Sequence, residues 1–338
     1  MMLPSRRPAH HSVVKRLLLF GTATLALALT GSAGALLTPG RHVATPAPVT
    51  ALSVTGHAVV YSVGRTSANC GSVALWNSAT RARWTFGAHT IVGCEEGPSG
   101  GFGIPSVAAT GARVFWLTGI GGNSTDWQLW TATPTRPAAR RLAFASSDTD
   151  GPPAIILGPG TSEGVPYAVG ATLTYVAPSG ARLFQVDLGS EVRLVAAGRG
   201  PARARLVAAL ADGRVLVLSG AGAVLRTASY EPNEVVAVAL AGTGQVVQTG
   251  RDVSVCCSPT GPFVTMLPAG ATMLDYRQRT IVYRRGIQVR SRQVPSEADA
   301  LLRIVPVKPW QSMPFATDTA GSAWASGRVV SFRSGPLR

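Results

Sequence analysis

Leu52-Ser-Val-Thr-Gly-His-Ala-Val-Val-Tyr61 and Val107-Ala-Ala-Thr-Gly-Ala-Arg-Val-Phe-Trp116 are two copies of one phrase: a small-apolar strand, a tight turn at glycine, and a second strand reaching an aromatic residue. Fainter copies end at Tyr175, Val217, Val247, Tyr283 and Trp324. A unit that recurs on this scale cannot bury its apolar faces alone and must stack on its neighbours. Laid end to end, the copies outline sheets at Val49–His89, Ile104–Ser146, Val165–Ala197, Arg203–Tyr230, Val235–Pro268, Ala271–Val307 and Pro314–Arg338. Four strands are countable in the clearest unit: Ser106–Ala109, Arg113–Leu117, Gln128–Ala132 and Arg140–Ala145. The pattern predicts an all-β chain folded as a β-propeller of about seven four-stranded blades; six or eight would need only one faint copy reassigned.

Two units are incomplete on this reading. The fourth lacks an outer strand, because Tyr230-Glu-Pro-Asn runs straight into the next copy. The last has three strands, and a strand at His42–Thr45 is expected to complete it, which removes two edges open to aggregation. One segment, Ser296–Leu302, reads as a short helix or a turn.

Ahead of the repeats, Arg6, Arg7, Lys15 and Arg16 precede the uncharged run Leu17–Leu29 and then Ala33-Gly-Ala35. A basic segment, an apolar core and a small-residue site predict a signal peptide at residues 1–35, cleaved after Ala35. An uncleaved membrane anchor is the alternative, since no charge appears between Leu17 and Gly40. Residues 36–48 read as a Pro/Thr/Ala-rich tether and 49–338 as the propeller. The expected location is secreted or extracytoplasmic, in association with the cell envelope.

The chain carries 31 Lys and Arg against 16 Asp and Glu. Loss of the four N-terminal cations leaves 27, a net charge of +11, which favours an anionic envelope polymer or a protein partner. Nucleic acid is not expected, because export separates the chain from cytoplasmic DNA and no recognition motif accompanies the charge. Four cysteines follow the signal segment. Cys70 and Cys94 flank one predicted sheet, and a bridge between them would stabilise by about 3 kcal/mol through loop closure. Cys256 and Cys257 are adjacent; a strained vicinal disulfide and two reduced, oppositely facing thiols both remain open. No Cys-x-x-Cys with a matching His pair exists, so no metal site is expected, nor any cofactor.

Ala211-Asp-Gly-Arg-Val-Leu-Val217 resembles the strand-turn-strand element of TolB-like and WD40-like propellers of bacterial envelope proteins. Only Asp212-Gly213 of the Ser-Pro-Asp-Gly signature is present, and no Trp-Asp dipeptide closes a blade. The resemblance implies a fold and a tendency to bind macromolecules; it brings no catalytic residue.

Candidate binding residues come from two constellations and one loop. Tyr276–Arg292 holds the strongest run of charge: Arg290 and Arg292 fall on one strand face, and Arg284 and Arg285 lie at a hairpin turn. Arginine's planar fork suits phosphates and carboxylates, although such a row also guards an exposed sheet edge against pairing. Trp127 and Trp130 follow the loop 119–126, where one ring could stack on a sugar, while blade packing is the competing use. Glu95 and Glu96, beside Cys94, are the only adjacent acids.

Gly160-Thr-Ser-Glu-Gly164 has the form of a nucleophile elbow without a following helix, and Asp148-Thr-Asp150-Gly151 is a calcium-loop fragment without a downstream acid. No catalytic residue is assigned. An exported, non-enzymatic binding propeller is the preferred reading, with a hydrolase or lyase at the central channel as the alternative. The latter requires at least two of Glu95, Asp148, Asp150, Glu163, Asp187 and His57 to meet in one pocket.

Overall fold

The computed structural model describes residues 40–64, 71–87, 102–121, 123–148, 152–198, 204–256, 262–306 and 313–335, all within the compact unit Gly34–Arg338. They form 28 strands in seven antiparallel four-stranded sheets, with no helix among the described residues. The first strand, β1 (Arg41–Ala44), is set apart from its sequence neighbours. Blade 1 is β2 (Val49–Thr55), β3 (Ala58–Val63), β4 (Ser72–Asn77) and β5 (Arg83–Phe86); blade 2 is β6 (Phe102–Thr110), β7 (Arg113–Ile120), β8 (Ser124–Thr133) and β9 (Arg136–Asp148). Blade 3 is β10 (Ile155–Leu157), β11 (Val165–Val169), β12 (Thr172–Val176) and β13 (Arg182–Asp187); blade 4 is β14 (Val192–Ala197), β15 (Ala204–Leu210), β16 (Arg214–Ser219) and β17 (Val224–Ser229). Blade 5 is β18 (Val235–Ala241), β19 (Gly244–Thr249), β20 (Asp252–Cys256) and β21 (Phe263–Met266); blade 6 is β22 (Ala271–Arg277), β23 (Thr280–Arg285), β24 (Gln288–Gln293) and β25 (Asp299–Ile304). Blade 7 is β26 (Phe315–Asp318), β27 (Gly321–Ser326) and β28 (Val329–Ser334), completed by β1.

Burial follows strand position. The second strands are sandwiched between neighbouring blades on both faces, so they are continuous apolar runs such as Ala58-Val-Val-Tyr-Ser-Val63. The outer β17 alternates between exposed and half-buried positions. The aromatic residues of the repeated phrase, Tyr61, Trp116, Tyr175, Tyr283 and Trp324, are fully buried. They sit in the clusters that join one blade to the next, such as Tyr61 with Ala323 and Phe332, and Trp116 with Val60 and Leu75. Burying a ring of this size is the largest single apolar contribution a blade interface has.

Ring closure comes from β1, which pairs with β28 in the register Arg41↔Phe332 to Ala44↔Val329. This is the strand expected at His42–Thr45, displaced by one residue. The Arg41 guanidinium donates to the carbonyl oxygens of Ser78 and Ala79, the latter at 2.7 Å, which fastens the closing strand to blade 1.

Two sequence expectations are corrected. The third and fourth sheets were expected at Val165–Ala197 and Arg203–Tyr230, but blade 3 begins at β10 and β14 is the first strand of blade 4. The cause is local: β10 has three residues between Pro153 and Gly158-Pro159, too few to show a pattern. In blades 3 and 4 the repeated phrase joins the second and third strands; in the other five it joins the first and second. Successive antiparallel strands turn at opposite ends, so the turns at Gly170 and Gly213 lie on the ring face opposite those at Gly56, Gly111, Gly242, Gln278 and Thr319. The fourth unit therefore has its outer strand, β17, and the missing piece was its first. The second correction concerns Ser296–Leu302, which contributes to the outer strand β25 rather than to a helix. Pairing with β24, including Arg292↔Asp299, overrides the local propensity of so short a segment.

Residues 1–39, the bridge predicted between Cys70 and Cys94, and Glu95, Glu96, Asp150 and Cys257 lie outside the described residues. Cys256 ends β20 in a disulfide, so it is not a reduced thiol; its partner also lies outside them.

Candidate central channel

The first strands of all seven blades, β2, β6, β10, β14, β18, β22 and β26, line one cavity of about 1240 Å³ along the ring axis. Most of its wall is aliphatic, with Leu194, Val236, Leu240 and Leu274 facing in. A single sector, from blades 6 and 7, is charged. Asp275 on β22 accepts a hydrogen bond from Arg277 Nε at 2.8 Å, from the Tyr276 N–H at 2.9 Å and from the Thr317 hydroxyl of β26. Asp318 accepts from the Thr319 N–H at 2.6 Å and from the Gly56 N–H of blade 1, which links the last blade to the first. Burial pushes the Tyr276 phenol up, with Arg279 offsetting part of that shift. Gln278 and Arg279 are exposed at the cavity mouth, where the β22–β23 turn holds both at positive φ.

Arg277 and Arg279 fall within the charged run Tyr276–Arg292, but Asp275 and Asp318 were not singled out from the sequence, although a signal was present. The residue just before the turn in the repeated phrase is polar in four of the five blades where it leaves the channel: Thr55, Thr110, Arg277 and Asp318. Thr55 shows the use, its hydroxyl donating to Ala109 O at 2.9 Å in blade 2.

The arginines expected to form a patch are divided. Arg290 and Arg292, on the third strand of blade 6, both meet Asp299 on β25, at 2.9 and 3.3 Å. The Tyr283 hydroxyl donates to the same carboxylate. Arg284 is half-buried and Arg285 exposed at the end of β23, on the ring face opposite Arg279. Trp127 and Trp130 lie on β8, three residues apart, and so point to opposite blade faces. Trp127 lies over Gly119 and donates to Ser147 Oγ at 2.9 Å; Trp130 donates to Thr118 Oγ1 at 3.2 Å and packs between blades 1 and 2.

Of the acids and histidine named for catalysis, Asp148, Glu163, Asp187 and His57 are among the described residues, and none of these four lines the cavity. Glu163 pairs with Arg205 at 2.9 Å, Asp187 accepts from the Gly189 N–H at 2.8 Å, Asp148 ends β9, and His57 lies in the β2–β3 turn against Phe332. Ser162 is exposed in a loop with no helix after it. Gly160 in that loop crosses the Ala109 backbone so closely that a Cβ would sit 1.8 Å from the Ala109 oxygen. Packing therefore accounts for the glycine that the elbow motif requires. Among the described residues, no three His, Cys, Asp or Glu are grouped to hold a metal ion.

The fold is that of a seven-bladed, WD40-like β-propeller. No protein-family model and no curated protein matches the chain. Solved structures do: a chain of the mitotic checkpoint complex is 14% identical over 88% of this chain and 95% of its own length, with a TM-score of 0.54. Raptor of Chaetomium thermophilum is 12% identical over 87% of this chain and 29% of its own, at 0.51. Saccharomyces cerevisiae Sqt1 is 10% identical over 90% and 100%, at 0.47. At such identities the likeness is one of fold alone.

Proposed function

We propose that this chain is an exported, non-enzymatic propeller that binds a protein partner of the cell envelope through its loop faces, in the manner of TolB-like propellers. The observation that carries this reading is the state of the channel's polar groups. Asp275 and Asp318 are engaged in bonds between blades, and what they leave at the mouth is an exposed arginine and glutamine over an aliphatic cavity. Such a surface suits recognition, whereas chemistry needs a group free to exchange a proton with a substrate. The structure matched over 95% of its length belongs to a multi-protein complex, which accords with a protein partner. The basic first segment, the apolar run Leu17–Leu29 and Ala33-Gly-Ala35 support export. An anionic envelope polymer is the second class of partner that the charge allows.

A hydrolase or lyase remains the second reading, favoured by the presence of two carboxylates, Asp275 and Asp318, in the cavity wall. The test is retention of envelope proteins from the producing cell on the immobilised propeller at low and high salt, with Arg279→Ser and Arg285→Ser beside the wild type. The reading expects a discrete protein retained by the wild type and reduced by the substitution on the face it uses. Retention of no protein at either salt level would refute it.

A further inference from the structure

Blade 2 ends in the 13-residue strand β9, whose outer edge pairs with no other strand. Val114 and Phe115 of β7 pair with Ala132 and Thr131 of β8, a register that sets Arg113 opposite Thr133. On the other side of β8, Thr133 pairs with Arg136 and Thr131 with Arg140. Cross-strand partners share a face. Arg113, Arg136 and Arg140 therefore stand on the side of blade 2 that carries Phe115, which packs on Val165 and Val176 of blade 3. Strand spacing and rise place the three Cα atoms within about 12 Å of one another.

No acid answers these charges. Arg113 is half-buried and lies against Gly180, its Nε donating to Pro178 O at 3.0 Å and its Nη2 to Ser179 O at 2.8 Å. Both acceptors are neutral carbonyls in the β12–β13 turn. Arg136 and Arg140 are exposed, and neither guanidinium has a hydrogen bond or ion pair among the described residues. Burial, then the Arg140 and Arg136 charges, lower the Arg113 pKa from its ordinary value. Other arginines of the ring sit on carboxylates: Arg205 on Glu163, Arg214 on Asp212 and Arg277 on Asp275. Three like charges gathered without an acid repel one another, and an anion among them removes that cost.

The number of cations selects the anion. A carboxylate or a phosphodiester brings one negative charge, whereas a phosphate monoester brings nearly two, on three acceptor oxygens that suit the planar fork of arginine. A partner strand is a poorer occupant, because Pro137 takes a donor from the β9 edge. We propose that the outer seam between blades 2 and 3 binds a phosphate group carrying two negative charges, its oxygens accepting from Arg136, Arg140 and Nη1 of Arg113. The site is apart from the central channel, and its test needs no protein partner.

The experiment titrates the propeller at about pH 8, where phosphate is a dianion, and follows the arginine Nε–Hε resonances at matched ionic strength. The probes are inorganic phosphate, glycerol phosphate, diethyl phosphate and acetate. The first two are expected to saturate the Arg113 shift, the tighter of them telling free phosphate from an ester; the last two should bind at least about tenfold more weakly. Arg136→Gln and Arg140→Gln should each weaken phosphate binding about fivefold to tenfold. The melting temperature of the free chain then stays equal or rises, since a repelling charge is gone. Arg141→Gln, on the opposite face of β9, should change the affinity by less than about twofold. Acetate or diethyl phosphate binding as tightly as phosphate, an equal loss in Arg141→Gln, or no saturation by phosphate would overturn the proposal and leave the arginines as guards of an open sheet edge.

Discussion

The Asp299 carboxylate and the Arg290 guanidinium stand 2.9 Å apart on neighbouring strands of blade 6, with Arg292 as a second cation at 3.3 Å. Burial alone would raise the Asp299 carboxyl, but hydrogen bonds from Tyr283 and Arg290 outweigh it, so the group stays below the ordinary carboxylate value. A depressed acid stabilises the fold above its unfolded pKa, and that contribution is lost as pH falls through the folded value. Asp299→Asn is expected to cost about 1–2 kcal/mol at neutral pH, reduced by the partial exposure of the pair. As pH falls below the ordinary carboxylate value and through the depressed folded one, the two proteins should converge. Urea unfolding at neutral and at acid pH measures this.

Gly160 and Gly103 make a controlled pair. A Cβ at Gly160 meets the Ala109 oxygen at 1.8 Å, whereas one at Gly103 meets nothing within 4 Å. Gly160→Ala should destabilise by about 2–4 kcal/mol, since backbone must move, and Gly103→Ala by less than about 0.5 kcal/mol. Ser162→Ala, on the exposed loop beside Gly160, should leave stability unchanged. Thermal unfolding of the three variants checks the series.

Deletion of residues 41–44 removes the strand that covers the edge of β28. An unpaired edge strand at a ring seam templates pairing with another chain. The expected result is a lower melting temperature together with concentration-dependent association, read by light scattering on a sizing column. Arg41→Ala keeps the strand and loses its bonds to Ser78 and Ala79, so it should lower the melting temperature without association.

The phenols of Tyr61 and Tyr283 are pushed up to about 12, by burial first in both cases, with Asp299 adding to the shift at Tyr283. A raised phenol contributes stability below its unfolded pKa, and that contribution disappears as pH rises from about 10 toward 12. Alkaline titration of phenolate absorbance should therefore show late-ionising tyrosines, one fewer in Tyr283→Phe, with unfolding accompanying the late step.

Seven blades were legible because the repeated phrase buries bulky residues at blade interfaces: Tyr61, Trp116, Tyr283 and Trp324 on second strands, and Tyr175 on the third strand of blade 3. The frame of blades 3 and 4 was not, because the three residues of β10 carry no periodicity. The arginine run from Arg284 to Arg292 was visible as charge, but its answer was not: Asp299 lies on another strand, inside a segment whose local propensity points away from a strand. The channel's Asp275 was hidden for a similar reason, since its partner Thr317 is 42 residues on and only the closing of the ring brings them together.

The two faces of the ring differ in their hairpins. The face that carries Arg279 has five copies of the repeated phrase, turned at glycine in blades 1, 2 and 5, whereas on the other face Gly170 and Gly213 are joined by Gly250, Gly286 and Gly327, the turns between the second and third strands of blades 5 to 7. Anything that recognises a left-handed glycine at these hairpins would therefore meet five neighbouring blades on that second face and an interrupted set on the first.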